Sequence, residues 1–90
     1  MTILPEDPQE RKGYPLHRGL FLYFPKALCA VARHSVEGAK QHGMDGIYWD
    51  RSKSSDEADA LLRHVIEGDW TAVAWRALAK LEKEIESGQG

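Results

Sequence analysis

Three stretches of this chain repeat apolar residues at steps of three and four, and none alternates them at steps of two. That pattern restricts the fold to helices packed side by side. The first stretch sets Leu28, Ala32, Ser35 and Ala39 on one seam, flanked by Val31 and Val36. Pro25 suits a first helical turn and Gly43 a stop. The second runs from Ser55, a good N-cap, to Gly68, with Ala58, Leu61, Leu62, Val65 and Ile66 as its buried face. Asp56 and Glu57 stand in its first turn, where the helix dipole favours negative charge. Asp69 can cap a third helix reaching about Ser87, with Trp70, Ala74, Ala77, Leu78, Leu81 and Ile85 on one face. Arg76, Lys80, Lys83 and Glu84 oppose that face as exposed ion pairs. The expected architecture is all-α, a compact bundle of about three helices.

The segments between the helices read differently. Met1 to Lys12 carries Pro5, Pro8 and a run of charges, which suits a flexible leader. Residues 13–90 then form one domain. The segment Tyr14–Phe24 gathers aromatic residues but is broken by Pro15 and Gly19. It is expected to be an irregular arm that packs its rings on the helices. The loop from Gly43 to Ser55 holds Ile47, Tyr48 and Trp49 among polar residues. Such a loop either docks on the core or lies over a site.

Length and charge limit what the chain can do. With 90 residues, it buries only roughly 60–65% of its unfolded surface, so self-association is a natural supplement. Its aromatic residues exceed what one small core covers, and a homo-oligomer is expected. A net charge of −2 gives no general attraction to nucleic acid or to an anionic membrane. Phosphate recognition would need a local basic cluster. Cys29 is the only cysteine, so no intrachain disulfide forms. No apolar run approaches the ~20 residues that span a bilayer. A cytoplasmic protein is expected, with no membrane or nucleic-acid partner.

The chemistry concentrates around the second helix. Asp56, Asp59 and Arg63 share one stripe, and Glu67 extends it. Two carboxylates one turn apart can hold Mg²⁺, which in turn binds phosphates. The plainer alternative is a solvated face, with Asp56 as a cap and Asp59 paired to Arg63. Arg51, Lys53 and Ser54 precede the helix N-terminus, where unpaired N–H groups favour anions. His17, His34, His42 and His64 show no metal-ligand spacing, and no glycine-rich phosphate loop is present. Trp75 is a core residue, an oligomer contact or a platform for stacking a base.

The order of these segments carries a resemblance. YPLHRGLFLYFPKAL is followed by a helix ending GAKQHG, then YWDRSKSSDEADALLRH, then AWRALAKLEKEIE. This succession resembles the dATP/dGTP diphosphohydrolase domain of phage and prophage proteins, over Tyr14 to Glu86. Its most specific piece is W-x-R-x-K-S joined to D-x-x-D-A-L-L-R-H. The chain departs from the family's pattern at Glu57, where a histidine is common, and at Gly43, where asparagine is.

The resemblance implies binding of a purine deoxynucleoside triphosphate and its hydrolysis to monophosphate and pyrophosphate. Asp56, Asp59 and His64 would be the catalytic residues, with Mg²⁺ on Asp56 and Asp59. Trp49, Arg51, Lys53, Ser54, Arg63 and Arg76 would bind the nucleotide and its phosphates. A second reading keeps the cations and aromatics and drops the catalysis. It is a nucleotide sponge, with which a phage could sequester a host immune signalling nucleotide in the host cytoplasm. The third is a helical interaction module whose polar cluster is only a solvated face.

Overall fold

A computed structural model describes residues 3–41, 43, 46, 47, 49 and 56–88. Every regular element among them is helical. Three long helices carry the architecture: α2 (Pro25–Gln41), α3 (Glu57–Glu67) and α4 (Trp70–Glu86). They follow one short turn, α1 (Pro8–Arg11). The Asp7 carboxylate caps α1, accepting from the Gln9 and Glu10 amides at 3.1 and 3.0 Å. Pro8 supplies the preset φ of a first helical position.

Between α1 and α2 the arm coils into a π-helical turn, His17–Phe21. The amides of Phe21 and Leu22 donate five residues back, to Leu16 and His17, at 3.0 and 2.8 Å. Gly19 lets this turn close on Pro15, because a Cβ there would meet the proline ring at 3.0 Å. The arm does not pack its rings on the helices, as its composition suggested. Tyr14, Leu16, Phe21, Leu22, Tyr23 and Phe24 are all exposed. The turn leads through Leu22–Phe24 into the start of α2.

The ends of the long helices follow their residues closely. α2 begins at Pro25 as expected and stops at Gln41, two residues before Gly43 at φ 70°. Gly68 closes α3 in the left-handed region at φ 73°. Asp69 then caps α4, its side chain accepting from the Ala72 amide at 3.2 Å. The start of α3 differs from the expectation at Ser55, which lies outside the described residues. Asp56 holds the N-cap place, but its side chain makes no cap bond.

α4 is the central element, packing along α3 and against α2. Among the described residues the buried apolar ones are four alanines: Ala39 of α2, Ala60 of α3, and Ala72 and Ala79 of α4. Small side chains let the helix backbones approach closely at these points, but they bury little area.

Two expected buried faces turn outward. On α3, Leu61 and Val65 are half-buried, while Ala58, Leu62 and Ile66 face solvent. On α4 the apolar stripe turns outward except at Ala74, which is half-buried. Trp70 is 66% exposed, and Leu78, Leu81 and Ile85 are each more than half exposed. The side of α4 that packs inward carries Ala72, Trp75, Arg76, Ala79 and Lys83. Arg76 and Lys83 are thus drawn inward by a buried partner and are not surface charges.

Candidate functional site

That partner is Glu57, the first residue of α3, only 5% exposed. A bare carboxylate at such depth would cost several kcal/mol. Two cations from α4 meet it. Arg76 donates to one oxygen at 3.2 Å, and the Lys83 ammonium lies 3.7 Å from the other. Arg76 and Lys83 are seven residues apart, two helical turns, so both project from one stripe toward the start of α3. Both retain about a quarter of their side-chain surface in solvent (29% and 26%).

Indole rings surround these charges. The Lys83 ammonium sits 5.9 Å from the centre of the Trp49 ring, and the Arg76 guanidinium 5.6 Å from that of Trp75. Both distances fall within the range of cation–π attraction. Trp49 meets Trp75 edge to face at 5.6 Å, the geometry that the ring quadrupoles favour. Trp75 also reaches across to α2. Its indole N–H donates to the Ser35 hydroxyl at 3.0 Å, and His34 lies against its ring. One side chain therefore ties α2, α4 and the loop residue Trp49 together.

The residues expected to form the site do not gather in one place. Trp49 and Arg76 belong to this cluster. Asp56 and Arg63 form a separate exposed pair, 3.2 Å apart along α3. Arg63 donates to Asp56 and not to Asp59, the neighbour one turn away. Its guanidinium, chiefly through that hydrogen bond, holds the Asp56 carboxyl below its ordinary 3.8. Asp59 is exposed, and no ion pair of it is found among the described residues. His64 is half-buried, with Nδ1 3.6 Å from Glu67. Arg51, Lys53 and Ser54 lie outside the described residues.

No group of three or more His, Cys, Asp or Glu side chains converges on a metal-sized space among the described residues. A cation at Asp56 and Asp59 would have those two carboxylates as protein ligands, and Arg63 would compete for one of them. The arrangement at Glu57 does different chemistry. It holds one anionic group between two cations, beside an indole face.

Sequence reasoning passed over Glu57, Lys83, Ser35 and His34. The helical spacing of Arg76 and Lys83, two turns apart, was the available signal.

No helix among the described residues is long and apolar enough to cross a membrane. Searches against models of known families, curated proteins and solved structures gave no match.

Proposed function

We propose that this protein binds a nucleotide without needing to turn it over. The phosphates would go to Arg76 and Lys83, and the base to the face of Trp49. The observation that carries this reading is the Glu57 carboxylate held between two α4 cations beside an indole. Arg76 and Lys83 keep 29% and 26% of their side-chain surface in solvent, and a phosphate there would share their charge-assisted donors with Glu57. The sequence places Arg51, Lys53 and Ser54 between Trp49 and Glu57, two residues that both approach Lys83. Those cations would add to the attraction for a polyanionic ligand. The resemblance of the motif order to that of the phage diphosphohydrolase domain supports a purine nucleotide as the class of ligand. Sequestering a signalling nucleotide is one use of such a protein.

A second reading, hydrolysis of dATP or dGTP to monophosphate and pyrophosphate, rests on Asp56 and Asp59. Mg²⁺ on these carboxylates would activate water and neutralise phosphate charge. In that case Asp59→Asn abolishes turnover while the fold is kept.

Tryptophan fluorescence during titration with dGTP, dATP and cyclic dinucleotides tests the binding reading. Saturable change with at least one of them is expected, unaltered by EDTA. Lys83→Ala should weaken it at least about tenfold, or about 1.4 kcal/mol. Binding abolished by EDTA would contradict a metal-free site.

A further inference from the structure

α4 has two faces with different tasks. Its inner face, with Arg76 and Lys83, meets Glu57. Its outer face is apolar along the full 17 residues of the helix, about 25 Å. Ala74, Leu78, Leu81 and Ile85 follow each other at steps of four, three and four, the seam spacing of paired helices.

The surface area indicates how much is left uncovered. A compact monomer of 10.1 kDa exposes about 5,300 Å². This chain exposes 7406 Å². Its radius of gyration is 15.1 Å, against about 12 Å for a compact chain of this length. The excess, roughly 2,000 Å², is spread over the chain, the exposed arm Tyr14–Phe24 included, and leaves room for the ~800 Å² per partner that a stable interface takes.

We infer that the outer stripe of α4 pairs antiparallel with the same stripe of a second copy of this chain. The side-chain volumes select the direction. Within the seam from Ala74 to Ile85, the first position is small and the last two, Leu81 and Ile85, are large. Antiparallel pairing about a two-fold axis sets Ala74 opposite Ile85 and Leu78 opposite Leu81, so the one small position of the seam meets a large one and the two leucines meet each other. Parallel pairing would oppose alanine to alanine and leave a void. The two helix dipoles also oppose each other in the antiparallel arrangement. A net charge of −2 does not draw this face to an anionic membrane. The inference is independent of the nucleotide reading, because the seam and Glu57 lie on opposite sides of α4.

Light scattering across a wide concentration range tests it. The expected mass is a dimer or a multiple of one, and the midpoint of chemical unfolding should rise with protein concentration. Leu81→Glu should lower the mass to that of one chain, with helicity checked by circular dichroism. Because that variant could fail to fold, cysteine pairs provide a second arm in a Cys29→Ser background. A mixture of Leu78→Cys and Leu81→Cys chains should cross-link far more than either chain alone. A wild-type monomer, or a monomer that binds lipid vesicles through this stripe, would overturn the inference. So would an oligomer that a folded Leu81→Glu chain still forms. Equal cross-linking of like chains would overturn the antiparallel direction.

Discussion

The Arg76 guanidinium donates to the buried Glu57 carboxylate at 3.2 Å, joining the middle of α4 to the first residue of α3. The pair spans 19 positions of sequence and brings the most deeply buried charge of the described residues to its cation. Glu57→Gln keeps the shape and removes the charge. It leaves Arg76 and Lys83 close together without their carboxylate. Breaking a fully buried pair costs 3–5 kcal/mol. Partial solvent access of both cations reduces this to about 2–3 kcal/mol. Urea unfolding would measure the loss, and a change below about 0.5 kcal/mol would mean the pair does not hold α3 to α4.

Trp75 and Ser35 should be energetically coupled. The indole N–H donates to the Ser35 hydroxyl at 3.0 Å across 40 positions. Ser35→Ala, Trp75→Phe and their combination make a double-mutant cycle. A coupling of about 0.5–1.5 kcal/mol is expected from one net hydrogen bond. Strict additivity would show that the bond does not contribute to holding α2 against α4.

The hinge between α3 and α4 rests on two adjacent residues. Gly68 adopts φ 73°, and Asp69 caps the following helix. Gly68→Ala should cost about 1 kcal/mol through the left-handed backbone. Asp69→Ala should cost about 1 kcal/mol through the lost cap. Thermal unfolding of each variant provides the check, and an unchanged midpoint for both would contradict this account of the turn.

Acid should weaken the Asp56–Arg63 link. Arg63 depresses the Asp56 carboxyl below 3.8, so the native state binds its proton less readily than the unfolded chain. The stabilisation is therefore complete above the unfolded value and disappears as pH falls through the lower folded one. Asp56→Asn should leave stability near neutral pH little changed, since the pair is exposed, and should flatten the decline below pH 3.8. An identical acid limb in both proteins would remove this link from the account.

Much of the helical layout was legible in the sequence. Pro25 marks a helix start, and Gly68 with Asp69 marks the break between α3 and α4. These are local effects of φ preference and capping, and they need no tertiary information. The direction in which a stripe faces is another matter. Spacing showed that Trp70, Leu78, Leu81 and Ile85 share a face of α4, but an apolar face can be covered from within or by a partner. The inner face was hidden because it mixes alanines with Arg76 and Lys83, residues that usually stay in solvent. Glu57 read as a charge suited to a helix start, and only tertiary packing brings it to two cations. The aromatic arm was misplaced for a related reason, since its composition gives the need for burial and not its source. At the candidate site, Trp49 and Arg76 were legible as candidates. Their junction through Trp75, Lys83 and Glu57 depends on how α4 is turned.

The most direct test of the binding account is a retention experiment. Excess protein is mixed with dGTP, dATP or a cyclic dinucleotide, in the presence of Mg²⁺, and then filtered away. Chromatography follows the filtrate, and then the material released when the retained protein is denatured. The account predicts that at least one nucleotide leaves the filtrate and returns chemically intact on denaturation. Free passage of every nucleotide would contradict it, and so would monophosphate produced in amounts exceeding the protein, which is the signature of the hydrolase.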